Sequence, residues 1–523
     1  MQNFKKNDGS AKLDAALLLV LFIAAYFYAV SIEAFELLIE FMENHEHWQL
    51  DELLTSLALI GFGGFVFAWR RYLETRRELE KRKAAEADVN WLAHFDPLTE
   101  LPNRRMLNEF ARKFDCDNDQ RRGGNCYVIY SIDLDGFKKI NDLHGHAAGD
   151  HLLKIVASRL TSFFPEDLIV RLGGDEFVVI AKALAQTDVK QTGMELCKII
   201  GAPMNLEGNN AEVGTSIGIV LLPAQTGSLE EAIQCADIAM YTAKKSTSTK
   251  VLLFKEVMRE AAKKRADLEC QLKEALSADA IEPYYQPLID LSSNRIYGFE
   301  VLARWTLPDG TAIPPVEFIK VAEDAGLISD LSVKLLKKAC RDAAAWPNDI
   351  LLSFNLSPTQ LADRLIGLRL INVLNETGFR PQRLEIEITE SAMVLDADTA
   401  QYVIGQLQQL GIQIALDDFG TGYSSLSQMS RFKFSRLKID QSFIRDFEND
   451  PKQNSIVRAI IALGNGLNVA TTAEGIEQPS QLEALKKLGC NSGQGYLLGR
   501  PMTAEKAKAA LAGPVLPAVR KRA

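Results

Sequence analysis

Two uncharged apolar stretches dominate the pattern of the first seventy residues. Residues 15–32 and 53–69 contain no Asp, Glu, Lys or Arg. A helix needs roughly 17–25 apolar residues to cross a bilayer, so both stretches are near the lower end of that range. The pattern predicts a membrane hairpin over residues 1–69, with helices at about 15–32 and 53–69. A pair of buried core helices is the alternative, and a signal peptide is a rival for the first stretch.

Charge around these stretches predicts their orientation. Residues 5–12 and 70–83 are rich in Lys and Arg, whereas residues 33–52 contain several acids and neither basic residue type. Cytoplasmic flanks carry the excess of Lys and Arg, so both ends are expected in the cytoplasm. Residues 70–92 are densely charged and lack Gly and Pro, which predicts a cytoplasmic linker helix. Either a simple spacer or a dimeric stalk fits this pattern.

Further along, apolar runs alternate with helical segments. The run Tyr127–Ile132 predicts a buried strand, and Leu168–Leu172 and Phe177–Ile180 predict a hairpin around two glycines. Ser228 and Glu231 form a capping box for a helix that ends near Lys244. These elements indicate an α/β domain over residues 93–255.

Composition and charge narrow the function. The chain has 523 residues, 47% of them hydrophobic, and a net charge of −9. It is therefore a multidomain globular protein with no overall attraction to polynucleotide, which is not expected as a partner. Seven cysteines without a CxxC pair argue against a zinc module or a disulfide framework. No histidine follows His151, so chemistry in the second half depends on carboxylates, amides and lysines.

Acidic residues end the strands of the first domain. Asp133 and Asp135 close one predicted strand, and Asp175 and Glu176 form the tip of the hairpin. Two acidic strand ends can share Mg²⁺, which also binds substrate phosphates. A solvated turn beside an unrelated strand end is the other interpretation.

A longer set of motifs in this domain resembles the GGDEF domains, the diguanylate cyclases. The matching segments are Arg171–Phe177, Asp133–Asp142, Gly145-His146, Gly149-Asp150 and Asp96–Arg105. The resemblance implies a nucleotidyl-cyclase-like α/β fold in which two GTP-loaded copies meet to make cyclic di-GMP, and hence a homodimer. It implies a Mg²⁺ site and a GTP site, with Asp133, Leu134 (through its carbonyl) and Asp175 at the metal and Lys138, Asn141, Asp150, Glu176 and Lys244 at GTP.

Two departures from the family pattern bear on cyclase activity. A Gly-Arg-Asn usually follows the helix lysine, but this chain has Thr247-Ser248-Thr249 and so lacks the charged fork of an arginine. Glu100 replaces a usual Gly, and the RxxD of the product-inhibition site lacks its Arg. The expectation is a domain that binds GTP and regulates, with weak or absent synthesis.

The second large domain, predicted over residues 268–511, has polar residues at strand ends. Short apolar runs lead in turn to Glu300, Asn355, Glu387, Asp417-Asp418, Lys438 and Glu474, mostly 20–36 residues apart. About 30 residues make one strand-plus-helix unit, so the pattern predicts a TIM-type barrel with functional groups at the strand C-termini. A linker over residues 256–267 precedes it, and a basic tail over 512–523 follows.

Clustered carboxylates at one barrel mouth repel each other unless cations neutralise them. Several acids with an amide, a lysine and no histidine suit hard, oxygen-binding ions. The adjacent Asp417 and Asp418 suit a pair of metals, as in two-metal phosphoester hydrolysis. For any single acid, a plain surface charge remains the simpler interpretation.

These motifs resemble the EAL domain, the cyclic-di-GMP phosphodiesterase. The matching segments are Gln286-Pro287, Glu300–Trp305, Asn355–Ser357, Glu387–Glu390, Asp417–Ser425, Lys438–Asp440, Ala473–Glu477 and Gln494–Tyr496. The resemblance implies two Mg²⁺ or Mn²⁺ ions. One is held by Glu300, Asn355, Glu387 and Asp417, and the other by Asp417, Asp418 and Glu474.

The same resemblance implies the other roles. The catalytic set is Glu300, Asp417, Asp418, Lys438 and Glu474, with Lys438 positioning the water. Cyclic di-GMP would contact Gln286, Leu302, Arg304 and Gln494, and its hydrolysis would give 5′-pGpG. Glu390 would brace the loop Asp417–Ser425.

Three functions compete at this point. The favoured hypothesis is a cyclic-di-GMP phosphodiesterase whose two N-terminal helices, in contact with membrane lipid, anchor it in a bacterial inner (cytoplasmic) membrane. Both termini and both large domains are then in the cytoplasm. A bifunctional cyclase and phosphodiesterase comes second, and a non-catalytic cyclic-di-GMP receptor or scaffold third. The complete series of strand-end acids argues against the third, and Thr247-Ser248-Thr249 argues against the second.

Overall fold

The chain divides into two units, Met1–Phe254 and Lys255–Ala523, and each has its own hydrophobic core. The computed structural model describes residues 50–118, 126–182, 188–206, 209–222, 228–246, 248–390, 392–395, 397–420 and 432–512, with scattered positions between 20 and 44. Much of the predicted first membrane helix, residue Thr247, most of the loop after Asp418 and nearly all of the basic tail lie outside the described residues.

Helix α1 (Leu50–His94) contains both the second apolar stretch and the charged segment 70–92. Among the residues that the structure describes, no helix is both long and apolar enough to cross a membrane. This finding does not support the predicted span at 53–69, whereas most of the predicted span at 15–32 lies outside the described residues. The stretch 53–69 is instead the first part of a 45-residue helix whose second part is rich in Arg, Lys and Glu.

The rest of the first unit is a five-stranded sheet covered by helices. Its strands are ordered β2-β3-β1-β6-β7, and β1 runs antiparallel to both β3 and β6. The strands are β1 (Tyr127–Asp135), β2 (Leu168–Gly173), β3 (Glu176–Lys182), β6 (Gly214–Leu222) and β7 (Val251–Leu253), with a separate pair β4 (Met204–Leu206) and β5 (Asn209–Ala211). The helices are α2 (Arg104–Asn118), α3 (Phe137–His144), α4 (His146–Phe163), α5 (Val189–Gly201) and α6 (Leu229–Lys245).

Local sequence accounts for the elements nearest the site. The Ser228 hydroxyl accepts a hydrogen bond from the Glu231 amide at 3.1 Å, which caps α6 as the sequence predicts. A Cβ on Gly218 of β6 would collide with the backbone of Ala236 and Met240. The glycine thus lets α6 lie directly on the sheet, which brings Lys244 close to the end of β1.

The second unit is a closed barrel, so the predicted TIM-like architecture is present. Its ring runs β9-β11-β12-β13-β14-β15-β16-β8 and closes through a β8–β9 pairing. Neighbours from β9 to β16 are parallel, whereas β8 is antiparallel to both of its partners. The strands are β8 (Ile281–Asp290), β9 (Arg295–Thr306), β11 (Leu351–Asn355), β12 (Leu384–Thr389), β13 (Gln413–Phe419), β14 (Arg436–Ile439), β15 (Ala470–Ala473) and β16 (Ser492–Gly493), with β10 (Ala312–Ile313) added at β9.

Helices surround the barrel and bury its outer face. They are α7 (Glu256–Ser277), α8 (Pro315–Asp324), α9 (Ile328–Ala343), α10 (Pro358–Leu361), α11 (Ile366–Thr377), α12 (Ala392–Leu395), α13 (Ala397–Gln409), α14 (Gln441–Ile444), α15 (Pro451–Leu467), α16 (Pro479–Lys487) and α17 (Ala504–Leu511). The predicted linker 256–267 is the first half of α7. On β12 the apolar Leu384, Ile386 and Ile388, which belong to the core, alternate with the polar Glu385, Glu387 and Thr389, which face the barrel interior.

Candidate active site

Parallel register brings the predicted acidic residues of the barrel to one end. Asn355, the last residue of β11, pairs with Glu387 of β12, and Thr389 pairs with Asp417 of β13. Glu474 directly follows β15. Because the carboxyl ends of parallel strands meet at the same rim, these side chains share the mouth of the barrel.

Lys438 of β14 lies at the centre of this group. Its Nζ is 2.7 Å from Glu387 Oε2, 2.5 Å from Glu474 Oε1 and 3.3 Å from Asp417 Oδ1. The lysine is 1% exposed, so solvent does little to screen these ion pairs. The ammonium group therefore holds three strand-end carboxylates together.

Glu300 of β9 is held on the other side of the mouth by amides. Asn355 Nδ2 donates to Glu300 Oε1 at 2.6 Å, and Gln494 Nε2 donates to Glu300 Oε2 at 2.5 Å. The same Gln494 nitrogen lies 3.0 Å from Gln286 Oε1. Gln494 Oε1 is buried and has no hydrogen-bond partner among the described residues.

Asp417, Asp418 and Glu474 present ligand oxygens that all lie within 4.8 Å of one another. Asp418 adopts a φ of 52°, in the left-handed region that L-residues with a side chain rarely occupy. Its amide donates to Asp417 Oδ1 at 3.0 Å, so the two carboxylates lie side by side.

The electrostatics of the group show an excess of negative charge. Burial raises the pKa of Glu387 well above its ordinary range, and the carboxylates of Glu300, Asp417 and Glu474 add to the effect against Lys438. Burial likewise raises the pKa of Glu474 to about 8, with Asp417 and Glu300 adding to it. Burial and the neighbouring Asp417 and Asp440 raise the pKa of Asp418 to about 6.

The pKa values of two groups are shifted in the direction that favours their charged forms. Burial alone would lower the pKa of Lys438, but the surrounding carboxylates outweigh it and raise that pKa well above its ordinary value. Burial would raise the pKa of Glu300, but Lys438 and the amide donors Gln494 and Asn355 leave it lowered. The folded barrel thus stabilises one buried cation amid carboxylates.

The donor set fits divalent cations. Five carboxylates, from Glu300, Glu387, Asp417, Asp418 and Glu474, surround a single ammonium group. Hard ions such as Mg²⁺ and Mn²⁺ prefer carboxylate and amide oxygens, and they would offset this repulsion. Asp417, Asp418 and Glu474 lie close enough together to hold one ion. The other predicted set, Glu300, Asn355, Glu387 and Asp417, stays a prediction.

The predicted contacts with the dinucleotide lie along one face of β9. Glu300, Leu302 and Arg304 alternate along the strand, so their side chains point the same way. Opposite them on β8, Gln286 pairs with Glu300 and Tyr284 with Leu302. The Arg304 guanidinium lies 5.8 Å from the centre of the Tyr284 ring. This face joins the cluster of acids to a cationic and aromatic surface.

Glu390 is buried one residue beyond β12. Residues 421–425 of the loop that it is predicted to brace lie outside the described part of the chain, so the bracing role stays a prediction.

In the first unit, β1 and the β2–β3 turn bring Asp133, Leu134 and Asp175 together. The Leu134 amide donates to the Asp175 carbonyl at 3.3 Å. Lys244 Nζ lies 2.7 and 2.9 Å from the two oxygens of Asp133. Burial raises the pKa of Asp133 despite the lysine, and Asp175 and Asp135 add to the effect. A cation would relieve this repulsion too, so the residues fit a metal.

The other residues predicted to contact GTP lie on several elements of the first unit. Asn141 lies over Gly149, where a Cβ would collide with the Asn141 amide, and Asp150 is the next residue. Lys138 is exposed at the start of α3. Glu176 of β3 pairs with Asp133 of β1, and burial, Asp237 and Asp133 raise its pKa. Ser248 is exposed, and its Oγ lies 3.3 Å from Ser246 Oγ.

Sequence reasoning missed several partners of these residues. Asp96 Oδ1 accepts from Arg171 at 2.8 Å, and Arg171 also donates to the Gly174 carbonyl at 2.8 Å, which ties the start of the domain to the turn that carries Asp175. Glu100 has a φ of 60°, so it occupies a position that favours glycine. The glutamate that replaces the usual glycine at this position therefore has a strained backbone conformation.

Comparison with known proteins supports both halves. Residues 93–250 match the family model "Diguanylate cyclase, GGDEF domain", and residues 269–501 match the "EAL domain". The Bifunctional diguanylate cyclase/cyclic di-GMP phosphodiesterase MucR of Pseudomonas aeruginosa is 36% identical over 469 residues, which cover 88% of this chain and 68% of MucR. The Cyclic di-GMP phosphodiesterase PdeR of Escherichia coli is 36% identical over 429 residues, which cover 81% of this chain and 64% of PdeR.

Other matches are longer proteins or single domains. The uncharacterized protein y4lL of Sinorhizobium fredii is 37% identical over 452 residues, which cover 86% of this chain and 54% of that protein. The chain thus spans about half the length of the first curated relatives it matches. The solved PaMucR phosphodiesterase in complex with c-di-GMP is 40% identical, covers 46% of this chain and 99% of its own, and has a TM-score of 0.45.

Proposed function

Because the chain belongs to the family of proteins that join a GGDEF domain to an EAL domain, we propose that it hydrolyses cyclic di-GMP to 5′-pGpG. The observation that carries the proposal is the convergence of the carboxylates of Glu300, Glu387, Asp417 and Glu474 around the buried Lys438. PdeR, a cyclic di-GMP phosphodiesterase by name, covers most of this chain.

The position of each residue in the site determines its role in the proposed hydrolysis. Divalent ions bound by the carboxylates supply the activation of water and the neutralisation of phosphate charge. Lys438 keeps Glu387, Asp417 and Glu474 at their short distances and orients the attacking water. Arg304 and Leu302, on the same face of β9, bind the dinucleotide together with Gln286 and Gln494.

Asp417→Asn tests this activity. The substitution keeps the shape of a residue assigned to both ions but removes its charge, so hydrolysis should fall below about 1% of the wild-type rate. Turnover of cyclic di-GMP by the full chain is measured by separating substrate from 5′-pGpG at saturating Mg²⁺ or Mn²⁺. Asp363→Asn, at a partly exposed aspartate between α10 and α11 that pairs with Arg369, is the control and should retain activity. Normal turnover by Asp417→Asn refutes the proposed function.

The GGDEF half is proposed to bind Mg²⁺ and GTP and to regulate hydrolysis. Asp133, Asp175, Asn141 and Asp150 retain the metal and guanine contacts that the family resemblance implies. Synthesis as well as hydrolysis is the second candidate, favoured by the likeness to MucR, which is bifunctional by name. Ser248 argues against it, since a small hydroxyl replaces a charged donor. Supplying GTP and cyclic di-GMP separately to residues 93–523 distinguishes the two activities, and the third hypothesis predicts neither.

Attachment to a bacterial inner membrane is proposed for residues 1–69, with both large domains in the cytoplasm. Support comes from the flanking charges and from α1, where Leu59, Ile60, Phe62 and Phe67 each expose at least two thirds of their surface. Reporter fusions near residue 45 should be extracytoplasmic, and fusions after residue 75 should be cytoplasmic. Full-length protein that remains in the supernatant without detergent contradicts this proposal.

A further inference from the structure

A second ring of polar side chains lies directly beneath the acidic site inside the barrel. We call it the polar layer, and each of its members precedes a site residue by two positions along the chain, so that both point into the barrel. They are Ser353, Glu385, Arg436, Thr472 and Ser492, which precede Asn355, Glu387, Lys438, Glu474 and Gln494. Bulky branched apolar residues dominate such interior layers in most TIM barrels, so a polar ring needs a reason.

The centre of the polar layer is a buried ion pair. Arg436 Nε lies 3.2 Å from Glu385 Oε2, and Glu385 is fully buried. Arg436 Nη1 donates to Ser492 Oγ at 2.9 Å and to Thr472 Oγ1 at 3.2 Å. The guanidinium also lies 4.6 Å from the centre of the Tyr297 ring. The charge of Glu385 is therefore compensated within the layer itself.

Ser353 connects this layer to the acidic site. Its hydroxyl oxygen lies 2.6 Å from Glu387 Oε1 and 3.3 Å from Glu385 Oε1. A hydroxyl has one hydrogen to donate, and the shorter distance assigns it to Glu387. Glu385 already accepts a hydrogen bond from Arg436, so its charge is compensated without a hydrogen bond from Ser353.

Glu387 is consequently fixed at both oxygens. Ser353 of the polar layer donates to Oε1, and Lys438 of the site lies 2.7 Å from Oε2. A carboxylate held in this way has a defined orientation, with its remaining lone pairs directed away from these donors. Buried ion pairs are weak contributors to stability compared with apolar packing, so stability alone does not explain the Glu385–Arg436 pair.

We infer that Ser353, supported by the Glu385–Arg436 pair, is a positioning residue that orients Glu387 for divalent-metal binding. This inference rests on the proposed function, because it assigns to Glu387 a role at the metal site. Residues that donate hydrogen bonds to metal ligands typically change metal affinity or activity by about 10–100-fold when removed.

Ser353→Ala is the test, and Ser332→Ala is its matched control. Ser332 is also a buried serine of this unit, and its hydroxyl donates to Gln360 Oε1 at 3.2 Å, away from the acids. Binding of Mn²⁺ to the metal-free full chain, without nucleotide, is measured by electron paramagnetic resonance and calorimetry. Ions held by the first unit are common to both variants and cancel in the comparison.

The expected result is about 10–100-fold weaker Mn²⁺ binding by Ser353→Ala and less than about 3-fold change in Ser332→Ala. Cyclic-di-GMP turnover by Ser353→Ala should need correspondingly more metal and return to within about 3-fold of wild type at saturation. Wild-type affinity in Ser353→Ala overturns the inference, as does a loss of fold in Ser353→Ala alone, which indicates a structural role. Absence of Mn²⁺ binding by the wild-type chain instead overturns the proposed function.

Discussion

Replacement of Lys438 by methionine should make the stability of the barrel depend on divalent metal. Methionine has a volume close to that of the lysine side chain, so the change removes a charge without opening a large cavity. Glu387, Glu474 and Asp417 then lose the cation that lies 2.5–3.3 Å from them. Three neighbouring carboxylates are left without compensation at a site where the lysine itself is 1% exposed.

The size of the effect follows from this burial. Removal of one partner from a buried ion pair typically costs about 3–5 kcal/mol. For a unit of this size each kcal/mol shifts the melting temperature by about 2–4 °C, so the metal-free variant should melt roughly 6–20 °C lower than wild type. A metal ion at about 100 times its dissociation constant should raise the free energy of unfolding by about 2.7 kcal/mol. Activity should not return with it, because the residue that orients water is missing.

Thermal unfolding of the full chain, followed by calorimetry with EDTA and then with Mg²⁺ or Mn²⁺, measures these shifts. The control is Lys273→Met, which removes a half-exposed lysine paired with Glu269 on helix α7 and should change stability by less than about 0.5 kcal/mol. Equal melting temperatures for Lys438→Met and wild type in EDTA would falsify the assignment of Lys438 as the cation that balances the site.

Lower pH should rescue the metal-free variant in the same way as metal. Burial raises the pKa of Glu474 from its ordinary 4.5 to about 8 even in the presence of the lysine. Between these two pH values the folded state binds a proton that the unfolded chain does not, so its stability rises as the pH falls. Loss of Lys438 removes a charge that lowers the pKa of Glu387 and Glu474, so in the variant the rise in stability should begin at a higher pH. A flat or opposite pH profile in EDTA contradicts the reasoning.

Two further predictions concern the first unit. In a Glu300→Ala background, which stops destruction of the product, Thr247→Gly, Ser248→Arg and Thr249→Asn together should raise cyclic-di-GMP synthesis from GTP by roughly 10²–10³-fold, and strong synthesis by Glu300→Ala alone would show that Ser248 is not limiting. Glu100→Gly should relieve about 1–2 kcal/mol of left-handed strain and lose about 0.4–1 kcal/mol to unfolded-state entropy. The net gain in stability, measured by urea unfolding, should lie between zero and about 1.6 kcal/mol, and a destabilised variant contradicts this.

Most elements with a strong apolar pattern were predictable, and β8 (Ile281–Asp290) shows why one was not. The segment contains Pro283 and Pro287, and prolines argue against a strand inside a sheet. In the barrel, β8 pairs with β9 along its length but with β16 only at Ile289 and Asp290. The prolines therefore fall where the second side of β8 has few ladder hydrogen bonds to lose. That relation depends on barrel closure, which no local pattern contains.

The strand-end acids were predictable as a group, but the polar layer was overlooked. Glu385 and Arg436 lie within runs that the sequence presents as apolar strand segments. A signal did exist, since residues two apart on a strand face the same side, and both precede site residues by two. The sequence could not show that a β12 acid and a β14 base would meet across the barrel interior, because that distance depends on strand tilt and stagger.

The two units balance their acidic sites in the same way but with different exposure. A lysine is paired with acids in each, Lys438 in the barrel and Lys244 beside Asp133 in the sheet domain. The side chain of Lys438 is 2% exposed, whereas that of Lys244 is 43% exposed, so water screens the second site far more. Loss of a charged contact in the sheet domain therefore costs little stability, and a change such as Ser248 can alter nucleotide chemistry without unfolding the domain. The barrel lacks this freedom, because each carboxylate that surrounds Lys438 also determines whether the buried charges are compensated.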